Sequence, residues 1–106
     1  MKPRLTNAER MDRTVTEAEL QSTVQELLTL HKWQWHHAGD SRRSTAGLPD
    51  IVAIRPPRVL FAELKREVGK TSKIQDEWLG SLMACPGIET YLWRPSDLTE
   101  ITEVLK

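Results

Sequence analysis

The chain has 106 residues, enough to build one hydrophobic core but not two. Its fifteen basic and fifteen acidic residues cancel, so net charge provides no long-range attraction to nucleic acid or to an anionic membrane. The single cysteine excludes an internal disulfide bond, and no apolar run reaches the length of a membrane span. Because the N-terminus also lacks a signal-peptide pattern, we expect a cytoplasmic protein without a membrane segment.

The N-terminal part divides into an arm and a helix. Residues 1–13 are mostly polar and lack a sustained apolar period, which predicts a flexible arm preceding one domain over residues 14–106. From Thr16 to His31 apolar residues recur at helical spacing, and Thr16 with Glu19 indicates a capping box. This segment is the first predicted helix.

Three strands follow that helix. The short aromatic-rich run 33–38 predicts a strand that leads into a polar loop. The runs 50–54 and 59–65 predict two more, joined by a turn at the prolines between them, because proline cannot donate to a strand ladder. Both runs are apolar on both faces, so we expect them in the middle of a covered sheet.

The remaining elements are a helix, a strand and a last helix. Ser72 opens the helix, which ends at Pro86-Gly87, and residues 88–93 form the fourth strand. Ser96 is predicted to cap the last helix, with Leu98, Ile101 and Leu105 facing inward. The order is α-β-β-β-α-β-α, which indicates a single α/β domain.

Two carboxylates face each other in the predicted hairpin. Symmetric pairing about the prolines puts Asp50 opposite Glu63, because each is equally far from the turn. Side chains alternate along a strand, so Lys65 shares the face of Glu63. Two close anions in an apolar sheet are costly unless a cation neutralises them, and carboxylate oxygens suit Mg²⁺ or Mn²⁺. Such an ion activates water for phosphodiester hydrolysis, and Lys65 would orient the water or stabilise charge on the phosphate.

Each of these residues taken alone is consistent with an ordinary charge at a strand edge. As a set they interrupt an apolar run where core residues are expected, which is typical of functional sites. The spacing carries a family resemblance as well. Leu48-Pro49-Asp50, then twelve residues, then Glu63-Leu64-Lys65 resembles the PD-(D/E)XK phosphodiesterase signature.

The wider pattern narrows the resemblance. An Asp-Ser-Arg-Arg-Ser segment precedes the first motif, and Ser72 and Gln75 open a helix after the second. Over residues 16–105 the chain is similar to a stand-alone virus-type replication-repair nuclease (VRR-NUC) domain. The resemblance implies a restriction-endonuclease-like fold, a mixed four-stranded sheet flanked by helices. It also implies a Mg²⁺- or Mn²⁺-dependent DNA endonuclease, a branched or Holliday-junction substrate and a homodimer.

The resemblance assigns roles to individual residues. Asp50, Glu63 and the backbone carbonyl of Leu64 would bind the metal, and Lys65 would be the catalytic lysine. The family also uses a glutamate from the first helix, for which Glu17 and Glu19 are the candidates.

Position on the helix separates the two candidates. Glu17 lies on the apolar stripe facing the sheet, whereas Glu19 has an alternative role as the capping partner of Thr16. We choose Glu17, although Thr14 has the spacing to cap to it in the same way.

Gln75 has two interpretations. It corresponds to a helix glutamine that lies near the metal or phosphate in the family. The segment Ser72-Lys73-Ile74-Gln75 is also a capping box, in which the glutamine side chain satisfies a backbone amide. Both interpretations stay open, and Gln75 is retained as a supporting site residue.

Basic residues concentrate around the motif. Residues 42–73 contain eight Lys or Arg against three acids, whereas residues 76–103 contain six acids and one Arg. Loop guanidinium groups and cations near a helix N-terminus are suited to DNA phosphates, although ordinary solvated charges are an equally good interpretation. The candidate DNA-binding residues are Arg42, Arg43, Ser44, Lys70 and Lys73.

Histidines and tryptophans receive structural interpretations. His36 and His37 alternate on the first strand, so one faces inward, and a packed histidine is favoured over a metal ligand. The four tryptophans are expected to fill the core rather than stack on bases. The alternatives to a nuclease are a non-catalytic DNA-binding or regulatory module that retains the fold, and a protein-interaction adaptor.

Overall fold

The structure, a computed structural model, describes residues 4–38 and 45–106. Its elements are, in chain order, α1 (Asn7–Thr14), α2 (Glu17–Leu30), β1 (Gln34–His37), β2 (Ile51–Arg55), β3 (Arg58–Leu64), α3 (Lys73–Met83), β4 (Ile88–Trp93), a 3-10 helix (Pro95–Asp97) and α4 (Leu98–Leu105). Within those ranges, no helix has both the length and the apolar character needed to cross a membrane.

The four strands form one mixed sheet in the order β1-β2-β3-β4. β2 pairs antiparallel with both β1 and β3, and β4 runs parallel to β3. The central positions of β2 and β3 follow from their apolar sequences, since an edge strand would leave one of these runs beside solvent. The predicted fold class, a mixed four-stranded sheet flanked by helices, is confirmed.

The core lies on one face of the sheet, against α2 and α4. Alternate residues of β2 and β3 point to this face because the side chains of a strand alternate. The stripe on α2 predicted from its helical spacing supplies three further buried residues. The buried core residues are Leu20, Val24, Leu28, Trp33, Ile51, Ala53, Leu60, Ala62, Leu64, Trp93, Ile101 and Leu105.

Helix α3 lies on the other face, where a glycine allows close approach. Gly47 precedes β2 and has a φ of +86°, a conformation that residues with a side chain rarely adopt. A Cβ at this position would lie 2.8 Å from the Ile74 carbonyl oxygen and 2.8 Å from Trp78 Cδ1. This contact ties α3 to the segment that leads into Asp50.

The structure differs from the sequence prediction at the N-terminus. A loose arm was expected over residues 1–13, but residues 7–14 form α1, which contacts the 3-10 helix. The Thr6 hydroxyl caps this helix by accepting a hydrogen bond from the Glu9 amide at 3.1 Å. No residue of α1 is buried, which is why an apolar period did not reveal the helix.

The start of the last helix and part of the core prediction were also wrong. Ser96 does not cap α4, because the helix begins after Asp97 and has no side-chain cap; the Ser96 N–H instead donates to Glu67 Oε1 at 3.0 Å. Leu98 is exposed rather than inward. Among the tryptophans, Trp33 and Trp93 are buried as expected, whereas Trp35 is exposed.

Candidate metal centre

Asp50 and Glu63 meet where the hairpin opens. The β2–β3 register pairs Arg55 with Arg58 and Ile51 with Ala62, so its continuation puts Asp50 opposite Glu63. Backbone N–H groups from the two neighbouring chain segments hold Asp50 in place. Its Oδ2 accepts a hydrogen bond from the Leu64 N–H at 2.8 Å, and its carbonyl accepts one from the Ala38 N–H at 2.8 Å.

Glu17 joins the two carboxylates from the first turn of α2. One oxygen from each of Glu17, Asp50 and Glu63 lies within 4.8 Å of the other two. Thr16 caps α2 through Glu19, whose amide donates to the Thr16 hydroxyl at 3.1 Å. Glu19 therefore serves the helix start, and Glu17 reaches the cluster, as the position of the apolar stripe predicted.

Glu63 is the buried member of the cluster. Its side chain is 1% exposed, whereas Asp50 is half-buried and Glu17 is exposed. Burial raises the pKa of Glu63 to about 8; the neighbouring Asp50 adds to this rise and Lys65 opposes it. A buried carboxyl with its pKa near 8 lacks a sufficient positive partner within the protein.

Gln75 and Lys65 contact the same oxygen of Glu63. The Gln75 Nε2 donates to Glu63 Oε1 at 3.3 Å, and the Lys65 ammonium lies 4.0 Å from that atom. At the same time Gln75 Oε1 accepts from the Ser72 N–H at 2.9 Å, and the Ser72 hydroxyl accepts from the Gln75 amide. The capping box is therefore present, and the other end of the same amide contacts the cluster; a role of Gln75 beside a metal or phosphate stays a prediction.

The donor set fits a divalent cation with oxygen ligands. Glu63 Oε2 is buried without a hydrogen-bond partner. Opposite ligands of Mg²⁺ lie about 4.2 Å apart, since each bond is about 2.1 Å. The three carboxylates therefore need only small side-chain shifts to share one ion, and the exposed Glu17 leaves the site open to solvent.

The candidate DNA-binding residues are less closely tied to this centre. Arg42, Arg43 and Ser44 lie outside the described residues. Lys73 is the first residue of α3, Lys70 lies in the loop before it, and both are exposed. The metal-binding role of the Leu64 carbonyl stays a prediction; the Leu64 N–H is the group that contacts Asp50.

Two contacts near the centre were not foreseen from the sequence. Gln21 Nε2 lies 3.3 Å from His37 Nδ1, which joins α2 to β1. The Arg94 guanidinium donates to the carbonyls of Arg66 at 2.7 Å and Gly69 at 2.6 Å, and thereby holds the loop after Lys65. Neither pair has a recognisable sequence spacing, because each joins residues that only the fold brings together.

The fold is similar to that of a solved VRR-NUC domain. The two structures superpose with a TM-score of 0.66 at 18% sequence identity, over 84% of this chain and 97% of that one. No protein-family model matches the sequence. No curated protein matches it either. The architecture implied by the sequence resemblance is therefore confirmed at the level of the fold.

Proposed function

We propose that this protein is a Mg²⁺- or Mn²⁺-dependent endonuclease that hydrolyses phosphodiester bonds in DNA. The observation that carries the proposal is the buried carboxylate of Glu63, with one oxygen unpartnered, beside Asp50 and Lys65. A buried carboxyl beside a second carboxylate is costly to ionise unless a cation is present, so Glu63 keeps its proton in the empty site and releases it when a divalent cation binds.

Three carboxylates would hold the ion, and the protein fixes two of them. The Leu64 N–H orients Asp50, and the Gln75 amide orients Glu63. Glu17, at the exposed start of α2, completes the set from the solvent side. The bound ion would supply a Lewis acid for the phosphate and lower the pKa of a water molecule.

Lys65 contributes charge and orientation next to these ligands. Its ammonium lies within reach of Glu63 and is partly buried, so it acts in an environment where its charge is less screened than in bulk water. It is suited to orient the attacking water and to stabilise negative charge on the phosphate. In the net reaction water adds to phosphorus and one phosphorus–oxygen bond to a sugar breaks, giving a phosphomonoester and a hydroxyl.

Branched DNA and a homodimer complete the proposal. A single site on a domain of this size contacts one strand, whereas two sites related by a two-fold axis are suited to a symmetric junction. The edge strand β1 carries the exposed Trp35 next to the exposed Leu30 of α2, and an apolar edge of this kind supports self-association. Analytical ultracentrifugation tests the dimer, and a monomer at micromolar concentration contradicts it.

A substrate panel tests the activity. The wild-type protein is incubated with duplex, flap, single-stranded and four-way DNA in Mg²⁺, Mn²⁺ or EDTA. We expect cleavage with either metal and none with EDTA. Lys65→Ala should lower the rate about 10²- to 10³-fold without unfolding the chain, because it removes one positioned charge.

Lys106→Ala is the matched control, since it removes an exposed lysine whose ion pair is with Glu103 and not with any of the three carboxylates. If the wild type leaves every substrate intact with both metals, the endonuclease is excluded. DNA binding without cleavage, unchanged by Asp50→Ala, would favour the non-catalytic DNA-binding module.

A further inference from the structure

The outer side of β1 is an open strand edge. β1 is the first strand in the order of the sheet and pairs with β2 on its inner side. Among residues 4–38 and 45–106, no second strand pairs with it. Three of its four side chains are exposed, and the fourth, that of His37, is half-buried. A strand edge of this kind is a template for pairing with another chain.

The pairing with β2 determines which backbone groups of β1 point outward. Ala38 donates its N–H to the Asp50 carbonyl at 2.8 Å, so these two residues are a hydrogen-bonded pair of the antiparallel ladder. Hydrogen-bonded and non-hydrogen-bonded pairs alternate along such a ladder. The N–H and C=O groups of Trp35 and His37 therefore point away from β2, whereas those of His36 point toward it.

The sequence of β1 does not protect this edge against pairing. Proteins block open edges with charged side chains, prolines or bulges, or keep the edge strand short. β1 is short, but its sequence, Gln-Trp-His-His, contains no lysine, acidic residue or proline. Its register with β2 runs without a bulge. Two copies of this edge can therefore approach each other without repulsion between like charges in the strand.

A groove beside the same edge adds apolar surface. It has a volume of about 520 Å³ and is lined by Trp35 and by residues of α2 that include Leu30, which is 69% exposed. The indole of Trp35 is held in place, since its Nε1 donates to the Thr29 hydroxyl at 3.1 Å. The lining contains Glu26 and no lysine or arginine, so the groove is not suited to the phosphates of DNA. A protein partner fits it better.

A second copy of the chain is the partner that fits the edge itself. When two copies of one strand run antiparallel about a two-fold axis, the donors of each face the acceptors of the other. With the axis at His36, Trp35 of each copy lies opposite the partner's His37, and both residues have outward groups. This register allows four backbone hydrogen bonds within β1, whereas an axis at Trp35 or at His37 allows only two.

We propose that the protein dimerises by pairing β1 with β1 of a second copy about a two-fold axis at His36, which joins two four-stranded sheets into one of eight strands. The inference rests on the proposed function for the dimer and for its metal centres. The axis is perpendicular to the sheet, so both centres lie on the same face. Strand spacing and rise put them roughly 24 Å apart in a flat sheet, on one surface that faces the two strands of a junction.

Cysteine cross-linking tests the position of the axis. Single cysteines replace His36 or Gln34 in a Cys85→Ser background, which removes the one native thiol. Non-hydrogen-bonded partners in an antiparallel ladder have Cα atoms about 4.5 Å apart, within the range of a disulfide. His36→Cys should therefore form an intermolecular disulfide under mild oxidation. Gln34→Cys is the matched control on the same face of β1, and its two copies would lie roughly 14 Å apart, too far to be bridged.

Analytical ultracentrifugation of the reduced protein tests the groove. Leu30→Lys should raise the Kd of the dimer at least about tenfold, because the two-fold axis puts the new charge into the interface twice. Met83→Lys is the control, since Met83 is 62% exposed and lies at the end of α3, which packs on β4 at the far edge of the sheet. Its Kd should match that of the wild type. Thermal melts check that both variants are folded.

The outcomes separate this inference from the proposed function. If the protein is a dimer but His36→Cys does not cross-link, or Leu30→Lys and Met83→Lys have equal Kd values, the inference is overturned while the dimer stands. A wild type that is monomeric at micromolar concentration overturns both the interface and the dimer, and cleavage of DNA by that monomer would leave the nuclease standing. A dimer that cross-links at His36 but cleaves no DNA supports the interface, and the nuclease alone fails.

Discussion

Charged side chains lie at both ends of the β2–β3 hairpin, but only at one end are they paired within the protein. At the turn end, Arg58 donates twice to Glu89 at 2.7 Å, and Tyr91 donates to the same carboxylate. Arg55 donates to three backbone carbonyls, and both guanidinium groups stack on Trp33. At the turn end the guanidinium groups and the Glu89 carboxylate therefore find their hydrogen-bond partners within the protein.

The open end has the opposite character. Three carboxylates meet with one lysine 4.0 Å away, and a buried oxygen of Glu63 has no partner. Charges that stabilise a fold are paired within the protein. These three carboxylates would instead be neutralised by a bound cation. We therefore expect substitutions at the open end to change activity and substitutions at the turn end to change stability.

The sharpest test exchanges one carboxylate for an amide at each end. Glu63→Gln should lower cleavage at least about 10³-fold, because several kcal/mol of transition-state stabilisation depend on the bound ion. Glu89→Gln should leave kcat and KM within about twofold, since the group lies beyond the site. Equal loss of activity in the two variants would show that the open end and the turn end do not differ in function.

Metal should stabilise the folded protein, and more so at higher pH. Because the folded pKa of Glu63 is raised from 4.5 to about 8, the folded protein holds a proton that the unfolded chain releases. In EDTA this group therefore lowers stability as pH rises from about 4.5 to 8. Thermal melts should show a larger Mn²⁺-induced rise in Tm at pH 8 than at pH 6, by several degrees.

Glu63→Gln is the control for that measurement. The variant should be more stable than the wild type in EDTA at pH 8, because it removes a buried charge. It should also lose most of the Mn²⁺-induced shift. A wild-type Tm that does not respond to Mn²⁺ at any pH contradicts the metal centre.

At the turn end the expected effect is on stability alone. Arg58→Ala should lower the free energy of unfolding by about 1 kcal/mol, since the pair with Glu89 is partly exposed and screened. The free energy of unfolding of Arg58→Lys should lie between those of the wild type and Arg58→Ala, because lysine keeps the charge but loses the paired hydrogen bonds. Urea unfolding measures both values, and cleavage should be unaffected.

Acid should remove the contribution of the Arg58–Glu89 pair. The hydrogen bonds from Arg58 hold the pKa of Glu89 below its usual value. A lowered carboxyl pKa gives stability that is present above about pH 4.5 and lost as pH falls through the folded value. The stability difference between wild type and Glu89→Gln, measured by urea unfolding, should therefore shrink between pH 7 and pH 3. A difference that persists at pH 3 would show that packing, not charge, links the pair.

The smallest effect is expected from the exposed lysines near the open end. Lys70→Ala and Lys73→Ala should each weaken DNA binding about two- to fivefold and reduce the salt dependence by about one released ion. Lys106→Ala, at the end of α4 near the turn end, is the control and should change neither. If the DNA affinity of all three variants depends equally on salt concentration, Lys70 and Lys73 are solvated surface charges that do not bind DNA.

Counting along the chain predicted the centre because its geometry is local. The hairpin has no insertion, so equal distances from the prolines put Asp50 opposite Glu63, and a helical stripe singled out Glu17. The pair of Gln21 and His37 was not predictable, since nothing in the sequence fixes how α2 lies on β1. Tertiary contacts of this kind follow no regular spacing in the sequence and so cannot be predicted from it.

Helix α1 was missed for another reason. It buries no side chain, so the apolar pattern on which the prediction rested was absent. A signal was nevertheless present in Thr6 and Glu9, whose spacing of three is that of a cap. Ser96 was misassigned because a hydroxyl residue before an apolar period resembles a cap even when the chain uses it elsewhere.

Because one side-chain amide of Gln75 contacts both Ser72 and Glu63, metal binding should be detectable at Ser72. One end accepts the hydrogen of the Ser72 backbone and the other donates to Glu63, so movement of that carboxylate toward a ligand changes the geometry at the first turn of α3. The Ser72 amide thereby becomes a remote sensor. Its NMR shift and hydrogen-exchange rate would report occupancy from a residue that never touches the ligand.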